Sequence, residues 1–292
     1  INAKLIVSET GFYEAEITLN SGCNLRGTID VSKQADPVLD LNVSICDSKL
    51  NGIIEVTLAD YTTQIVTNLE EDTHAFNVKY FETRQDAENN VNHITNTKLT
   101  TAQPSKTIYI RLEPGNCTPI IEKILFTTKD LSQANHVPPI DICDNDLSNN
   151  QEIILTDYID DLVTNIYKSP TFYLTEADAK NQTSDIDATQ TINSDQTFWV
   201  RFEQNNLCQN VAPLHFIFKQ PKKSDQLKDI TICKTATTTL DAGSGFDSYL
   251  WSNGSTESFI ENVPVGKYTV RLESNGCFYT QEVNVFAFEE PI

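Results

Sequence analysis

Apolar and polar residues alternate along many short segments of this sequence. In residues 107–113 and 197–203 every second residue is apolar, and Val283, Val285 and Ala287 repeat the pattern near the end. This is the period of a half-buried β-strand. Turn signals such as Asn275-Gly276 separate the segments. Many short strands at roughly 8–12 residue spacing predict an all-β chain of Ig-like β-sandwich domains.

Two segments depart from this alternation, Thr83 to Asn90 and Thr175 to Gln182. In each, the Thr is followed three residues later by an Asp, which resembles a helix-capping box. The sequence predicts one or two helical turns at each place, lying between strands.

Internal repeats set the domain organisation. Ile45-Cys46-Asp47 reappears as Ile142-Cys143-Asp144, and the strand at 107–113 reappears at 197–203. Two long domains are therefore predicted at 37–128 and 129–223, after the last strands of a partial Ig-like domain at 1–36 and before a short Ig-like domain at 224–292. Pro-bearing connections between them act as semi-rigid spacers, which predicts an elongated rod.

Seven cysteines fall at regular places in these repeats, with no zinc-type spacing. The simplest sequential pairing joins Cys46 with Cys117, Cys143 with Cys208, and Cys233 with Cys277, one disulfide inside each domain. Cys23 is then left over, with its partner expected upstream. Disulfides predict an oxidising, extracellular compartment.

Charge and motifs exclude several functions. The formal net charge is -20, whereas nucleic-acid binding needs a basic face. No apolar run reaches the ~18 residues of a membrane-spanning helix, so membrane insertion is not expected. No nucleophile-elbow, zinc-protease or nucleotide-binding motif is present, so no enzyme activity and no cofactor are predicted.

Three features allow two interpretations each. Asp141, Asp144, Asn145 and Asp146 suit either a calcium loop or a turn, although the central Gly and closing Glu of an EF-hand are missing. Trp199, on the outward side of its strand, suits either sugar stacking or packing against the short helix. Arg111, Arg201 and Arg271, each two residues before a Glu, suit either a row of ligand contacts or cross-strand ion pairs; ion pairs are favoured.

The repeats resemble a family of Bacteroidota surface repeats. The resemblance rests on Ile142-Cys143-Asp144-Asn145-Asp146, on Tyr173-Leu174-Thr175-Glu176-Ala177-Asp178-Ala179 and on Phe198-Trp199-Val200-Arg201. Tyr249-Leu250-Trp251-Ser252-Asn253-Gly254 and Gly276-Cys277 resemble the short domain that precedes a type-B sorting domain of the type 9 secretion system. The resemblance implies export by that system in a large surface protein, similar to gliding-motility adhesins of the SprB type.

The sequence thus predicts a non-catalytic stalk or adhesion segment at the cell surface, associated with the outer membrane. Expected partners are surface glycans or other cell-surface components, and the secretion and motility machinery. A carbohydrate-binding module and an inert spacer of a secreted enzyme are the alternatives.

Overall fold

The structure is a computed structural model that describes residues 4–32, 40–67, 76–114 and 118–288. The chain divides into two compact units. One comprises Ile1–Ser44 with Glu55–Thr127, and the other comprises Ile45–Ile54 with Thr128–Ile292. The short segment Ile45–Ile54 therefore belongs with the second unit, although it lies within the first long repeat of the sequence.

The first described strands form a two-stranded antiparallel hairpin. Strand β1 (Gly11–Thr18) pairs with β2 (Asn24–Val31), and the turn between them carries Gly22 at φ +81°. Such a φ disfavours residues with a side chain, which explains the Gly before Cys23. Cys23 itself is exposed and unbonded.

The first long repeat forms a six-stranded sandwich with short helices. Its four-stranded sheet has the order β3-β8-β7-β5, and β4 pairs with β6 in a second sheet. The elements are β3 (Asp40–Ile45), β4 (Ile53–Thr57), a 3-10 turn (Leu58–Tyr61), α1 (Thr62–Thr67), β5 (Phe76–Phe81), α2 (Arg84–Asn89), β6 (Asn96–Thr100), β7 (Ser105–Pro114) and β8 (Ile120–Thr128).

The second long repeat has the same arrangement. Its four-stranded sheet is β9-β14-β13-β11, and β10 pairs with β12. The elements are β9 (Ile140–Cys143), β10 (Gln151–Ile154), a 3-10 turn (Leu155–Tyr158), α3 (Ile159–Leu162), β11 (Thr171–Tyr173), α4 (Glu176–Asn181), β12 (Thr189–Ile192), β13 (Gln196–Phe202) and β14 (Asn210–Lys219).

The final domain keeps the six strands and has no helix among its described residues. Its sheets are β15-β20-β19-β17 and β16-β18. The strands are β15 (Ile230–Ile232), β16 (Thr238–Asp241), β17 (Ser248–Trp251), β18 (Phe259–Val263), β19 (Gly266–Ser274) and β20 (Cys277–Ala287). In all three domains the first strand of the sandwich lies beside its last strand.

The cores lie between the two sheets, as the alternation predicts. Phe198, Val200 and Phe202 are at most 2% exposed and pack with Ile153 and Ile192 of the opposite sheet. Burying each large apolar side chain contributes about 1.5–3 kcal/mol. Trp251 is likewise buried in the core of the final domain. The all-β, tandem Ig-like prediction is confirmed.

The two predicted helical turns are also confirmed. The side chains of Thr83 and Thr175 accept hydrogen bonds of 3.1 Å from the amides of Asp86 and Asp178, which caps α2 and α4. An N-cap of this kind contributes about 1 kcal/mol. The 3-10 turns followed by α1 and α3 were not predicted from the sequence.

The inter-domain disulfide junctions

Strand pairing places the two cysteines of one domain far apart. In the second repeat, first strand β9 runs parallel to last strand β14, and Cys143 lies opposite Lys219. Cys208 precedes β14, 11 residues before Lys219, which corresponds to about 35 Å along a strand. A disulfide requires Cα atoms within about 7 Å. Bonding between Cys143 and Cys208 is therefore excluded by the topology.

The cysteines instead bond from one domain to the next. Cys46 of the first repeat bonds Cys208 of the second, with Cα atoms 5.5 Å apart. Cys143 of the second repeat bonds Cys277 of the final domain, with Cα atoms 5.6 Å apart. The predicted pairing inside each domain was wrong.

Four of the six predicted disulfide cysteines are bonded, but to other partners. Cys233, predicted to bond Cys277, is free and exposed. Cys117 lies outside the described residues, but its predicted partner Cys46 is bonded to Cys208. In both observed bonds, a cysteine at the end of the first strand of one domain bonds the cysteine in the last hairpin of the next domain.

The first junction, around Cys46–Cys208, is held by linker segment 130–133. Cys208 N donates to Asp130 O at 2.7 Å, and Ser132 N donates to Cys208 O at 2.8 Å. The buried Ser132 hydroxyl donates to Cys208 O at 2.6 Å and accepts from Gln204 N at 2.8 Å. The linker thus runs along the hairpin like a short extra strand, so the disulfide is fixed on both sides.

Arg201 connects three elements at this junction. Its Nη2 donates to Ser48 O at 2.9 Å, beyond Cys46, and its Nη1 donates to Ala179 O at 2.9 Å at the end of α4. Its Nε donates to Gln209 Oε1 at 2.7 Å. Arg201 is only 4% exposed, and this burial lowers its pKa, although nearby Tyr173, Asp47 and Glu203 oppose the shift. The predicted cross-strand ion pair is not what this residue forms.

Of the other two predicted arginines, Arg111 shares one contact with Arg201 and Arg271 does not. Arg111 Nε contacts Glu113 at 2.9 Å, and Arg111 Nη1 donates to Ala87 O at 2.9 Å, the equivalent of the Ala179 contact. Arg271 lies over the ring of Phe278, with its Cζ 3.8 Å from the ring centroid. The helix-end contact of Arg111 and Arg201 is thus shared by the long repeats, whereas Arg271 stacks on the second-junction hairpin.

The second junction, around Cys143–Cys277, uses side chains in place of a strand-like linker. Asn145 Oδ1 accepts from Phe278 N at 3.3 Å, directly beyond the disulfide. The buried Ser274 hydroxyl accepts from Lys222 N at 2.7 Å. Gln281 Oε1 accepts from Ser224 N at 2.8 Å. The linker and the Cys143 loop are therefore both attached to the last hairpin of the final domain.

The Asp that follows each junction cysteine holds the loop in shape. Asp144 is buried, and its carboxylate accepts from Asn149 N at 2.8 Å, Ser148 N at 3.0 Å and Gln220 Nε2 at 2.8 Å. Burial raises the pKa of the Asp144 carboxyl. The hydrogen bonds, of which the one from Gln220 has the largest effect, lower it, and the resulting pKa is below the usual value. Asp47 accepts from Gly52 N at 2.6 Å in the same way.

These contacts favour the turn interpretation of the acidic stretch over calcium. Donors from the protein surround the Asp144 carboxylate, and Asp141 pairs with Lys219 at 2.6 Å. Across the described ranges, no three His, Cys, Asp or Glu side chains gather in a way that could hold a metal ion.

Trp199 lies outside the junction network. It is half-buried in β13, between Tyr173 and Pro213 in the ladder. A ligand contact at Trp199 stays a prediction.

The contacts of Ser132 were missed, because a single Ser in a linker carries no sequence pattern.

The helices and the disulfides both indicate the class of protein. The helices of the described chain include none that is long and apolar enough to cross a membrane. Tandem Ig-like domains with disulfides are typical of extracellular proteins, since disulfides persist in oxidising compartments. Such tandem domains are typically structural.

No protein with a curated description matches the sequence. Among solved structures, a tandem from titin matches at 12% identity and a TM-score of 0.30, covering 85% of this chain and 97% of that one. Extracellular domains 3–5 of Drosophila OTK match at 11% identity and a TM-score of 0.25, covering 87% and 95%.

One protein family matches the two repeats that carry the Cys-Asp loops. It is described as the Flavobacterium inter-domain disulphide bond domain, and it matches residues 42–131 and 139–222. Its description agrees with the bonds found here, each of which leaves one domain and ends in the next. This chain belongs to the Flavobacterium inter-domain disulphide bond domain family.

Proposed function

We propose that this chain is a non-catalytic stalk or adhesion segment of a large cell-surface adhesin, in which disulfides fasten each domain to the next. The observation that carries the proposal is the pair of bonds Cys46–Cys208 and Cys143–Cys277. A disulfide inside a domain stabilises that domain alone. A disulfide between domains resists their separation, which matters when a protein is pulled from both ends.

The junction contacts support the same role. Linker segment 130–133 and the Ser274 and Gln281 contacts fix the chain between domains, so little of it is left to extend under low force. In the chain-entropy model, bonds closing loops of 162 and 134 residues each contribute about 5 kcal/mol, although overlapping loops are not additive.

We further propose that the protein is exported to the cell surface by the type 9 secretion system. Membership of a Flavobacterium family and the resemblance of the final domain to one that precedes sorting domains support export by the type 9 secretion system. The net charge of -20 suits a hydrated surface. Partners on this proposal are surface glycans or other cell-surface components, and the outer-membrane secretion and motility machinery.

Surface display is tested first. Antibody raised against the chain should label intact, gliding cells of the source bacterium and should not label a mutant that lacks the type 9 translocon. Equal labelling of both strains would refute this export route, whereas absence of labelling from intact wild-type cells would refute the surface location.

Mechanical fastening is tested by adhesion under flow. Cells carrying Cys46→Ser with Cys208→Ser should detach at lower shear than wild type, with equal antibody labelling. Exposed Ser194→Ala, in the turn between β12 and β13 of the same repeat, is the control and should detach like wild type. If both variants resist shear like wild type, the segment is an inert spacer rather than part of the adhesive machinery.

A further inference from the structure

Cys233 occupies the same place in its domain as the two junction cysteines in theirs. It directly follows first strand β15, as Cys46 follows β3 and Cys143 ends β9. Beside it, Phe288 N donates to Ile232 O at 2.7 Å, matching Lys129 N, which donates to Ile45 O at 2.9 Å beside Cys46. The backbone that positions a junction cysteine is therefore already built around Cys233.

No partner for Cys233 is available within its own domain. Ile232 lies opposite Ala287 in parallel strands, and Cys277 is 10 residues before Ala287, about 33 Å along β20. Cys277 is moreover bonded to Cys143. Cys233 is exposed and free in the described chain, although its backbone environment is that of a junction cysteine.

An exposed aromatic pair beside Cys233 is an independent sign of a covered surface. Phe286 lies in β20 and is 50% exposed, and Phe288, which directly follows the strand, is 65% exposed. Phe286 lies opposite Thr231, next to the strand that ends at Cys233. The equivalent Ile217 and Lys219, beside the Cys143 junction, are half-buried. Two neighbouring aromatic side chains with this exposure suit burial against another domain.

We propose that Cys233 forms a third inter-domain disulfide, with a cysteine in the last hairpin of the domain that follows in the same polypeptide, which also covers Phe286 and Phe288. The next domain in the chain is the partner because both observed bonds follow that rule. This inference concerns the final domain, which lies beyond the family match ending at residue 222. It does not depend on the adhesive role.

The bond forms by oxidation of two thiols. Cys233 and the hairpin cysteine each lose a proton, and together they lose two electrons as their sulfurs join. The electrons and protons pass to the disulfide of a thiol oxidase of the cell envelope, which is reduced to a dithiol. The exposure of Cys233 lets the oxidase reach it before the domains dock.

The test uses the whole polypeptide purified from the cells that make it. Free thiols are blocked with N-ethylmaleimide, the protein is digested without reduction, and crosslinked peptides are identified by mass spectrometry. We expect the Cys233 peptide to be unblocked and joined to one cysteine outside residues 1–292. A blocked Cys233, or its bonding to Cys23, to Cys117 or to a second copy of the chain, would overturn the proposal.

A variant pair tests the aromatic surface separately. Phe286→Ser with Phe288→Ser, introduced into the whole polypeptide, should raise the blocked fraction of Cys233 while Cys46–Cys208 and Cys143–Cys277 stay formed. Leu250→Ser, a 49% exposed residue of the same domain, is the control and should leave Cys233 bonded. If the double variant bonds Cys233 as fully as the control does, the covering of Phe286 and Phe288 is refuted.

Discussion

Pulling this chain from its two ends would test the disulfide connectivity directly, because the two bonds overlap along the sequence. Each disulfide joins two positions of the backbone, so Cys46 and Cys208 form one fixed point and Cys143 and Cys277 form another. Three backbone segments then run in parallel between those points: 46 to 143, 143 to 208, and 208 to 277. All three share the force, and the shortest limits the extension.

The magnitude follows from the residue numbers. The shortest segment spans 65 residues (143 to 208), whereas the backbone from Cys46 to Cys277 spans 231. At about 3.3–3.6 Å per extended residue, the oxidised protein should stretch to about 210–230 Å between these points and the reduced protein to about 760–830 Å. Reduction should therefore release about 550–600 Å of contour length.

Single-molecule force spectroscopy with and without reductant measures this difference, and paired variants give graded values. Removing Cys143 with Cys277 leaves a limiting segment of 69 residues (208 to 277), so the extension grows by only about 14 Å. Removing Cys46 with Cys208 leaves 97 residues (46 to 143). If Cys143 were instead paired with Cys208 inside one domain, removing Cys143 would release the 65 residues between them. An increase in extension of that size would refute the connectivity found here.

Three further predictions concern the junction contacts. Arg201→Met should lower the free energy of unfolding, measured by urea denaturation, by about 2–4 kcal/mol, because the carbonyl groups of Ser48 and Ala179 lose a buried charged donor. Arg271→Met, at an exposed position, should lower it by under about 1 kcal/mol. Equal losses for the two variants would contradict the junction role of Arg201. Ser132→Ala should cost about 1–3 kcal/mol and speed hydrogen exchange at the Gln204 amide, and an unchanged exchange rate would count against its bridging role. The pKa of Asp144 is lowered by folding, so its stabilisation is complete above the ordinary carboxyl pKa and is lost as the pH falls through the lower folded value. Asp144→Asn should therefore flatten the fall in melting temperature below about pH 4, unlike the exposed control Asp225→Asn, and an unaltered pH profile would refute it.

The strands, the tandem repeats and the capped short helices could be predicted from the sequence because each depends on neighbouring residues. Alternation places Phe198, Val200 and Phe202 on one face of a strand, and all three are buried. Thr175 and Asp178 lie within one helical turn, so a local signal is enough to predict the cap. The Cys-Asp motif also marked the junction loops correctly as repeated features, without indicating what they join.

The disulfide partners were decided only by the tertiary structure. Sequential pairing assumes that cysteines near each other in the sequence are near each other in space. Parallel pairing of the first and last strands places Cys143 beside Lys219, a full strand length from Cys208. The role of Arg201 has the same origin, because Ser48, 153 residues earlier, becomes its neighbour only when the Cys46 loop packs against the second repeat. Local patterning thus determined the strands and repeats, whereas long-range strand pairing determined which cysteines could meet.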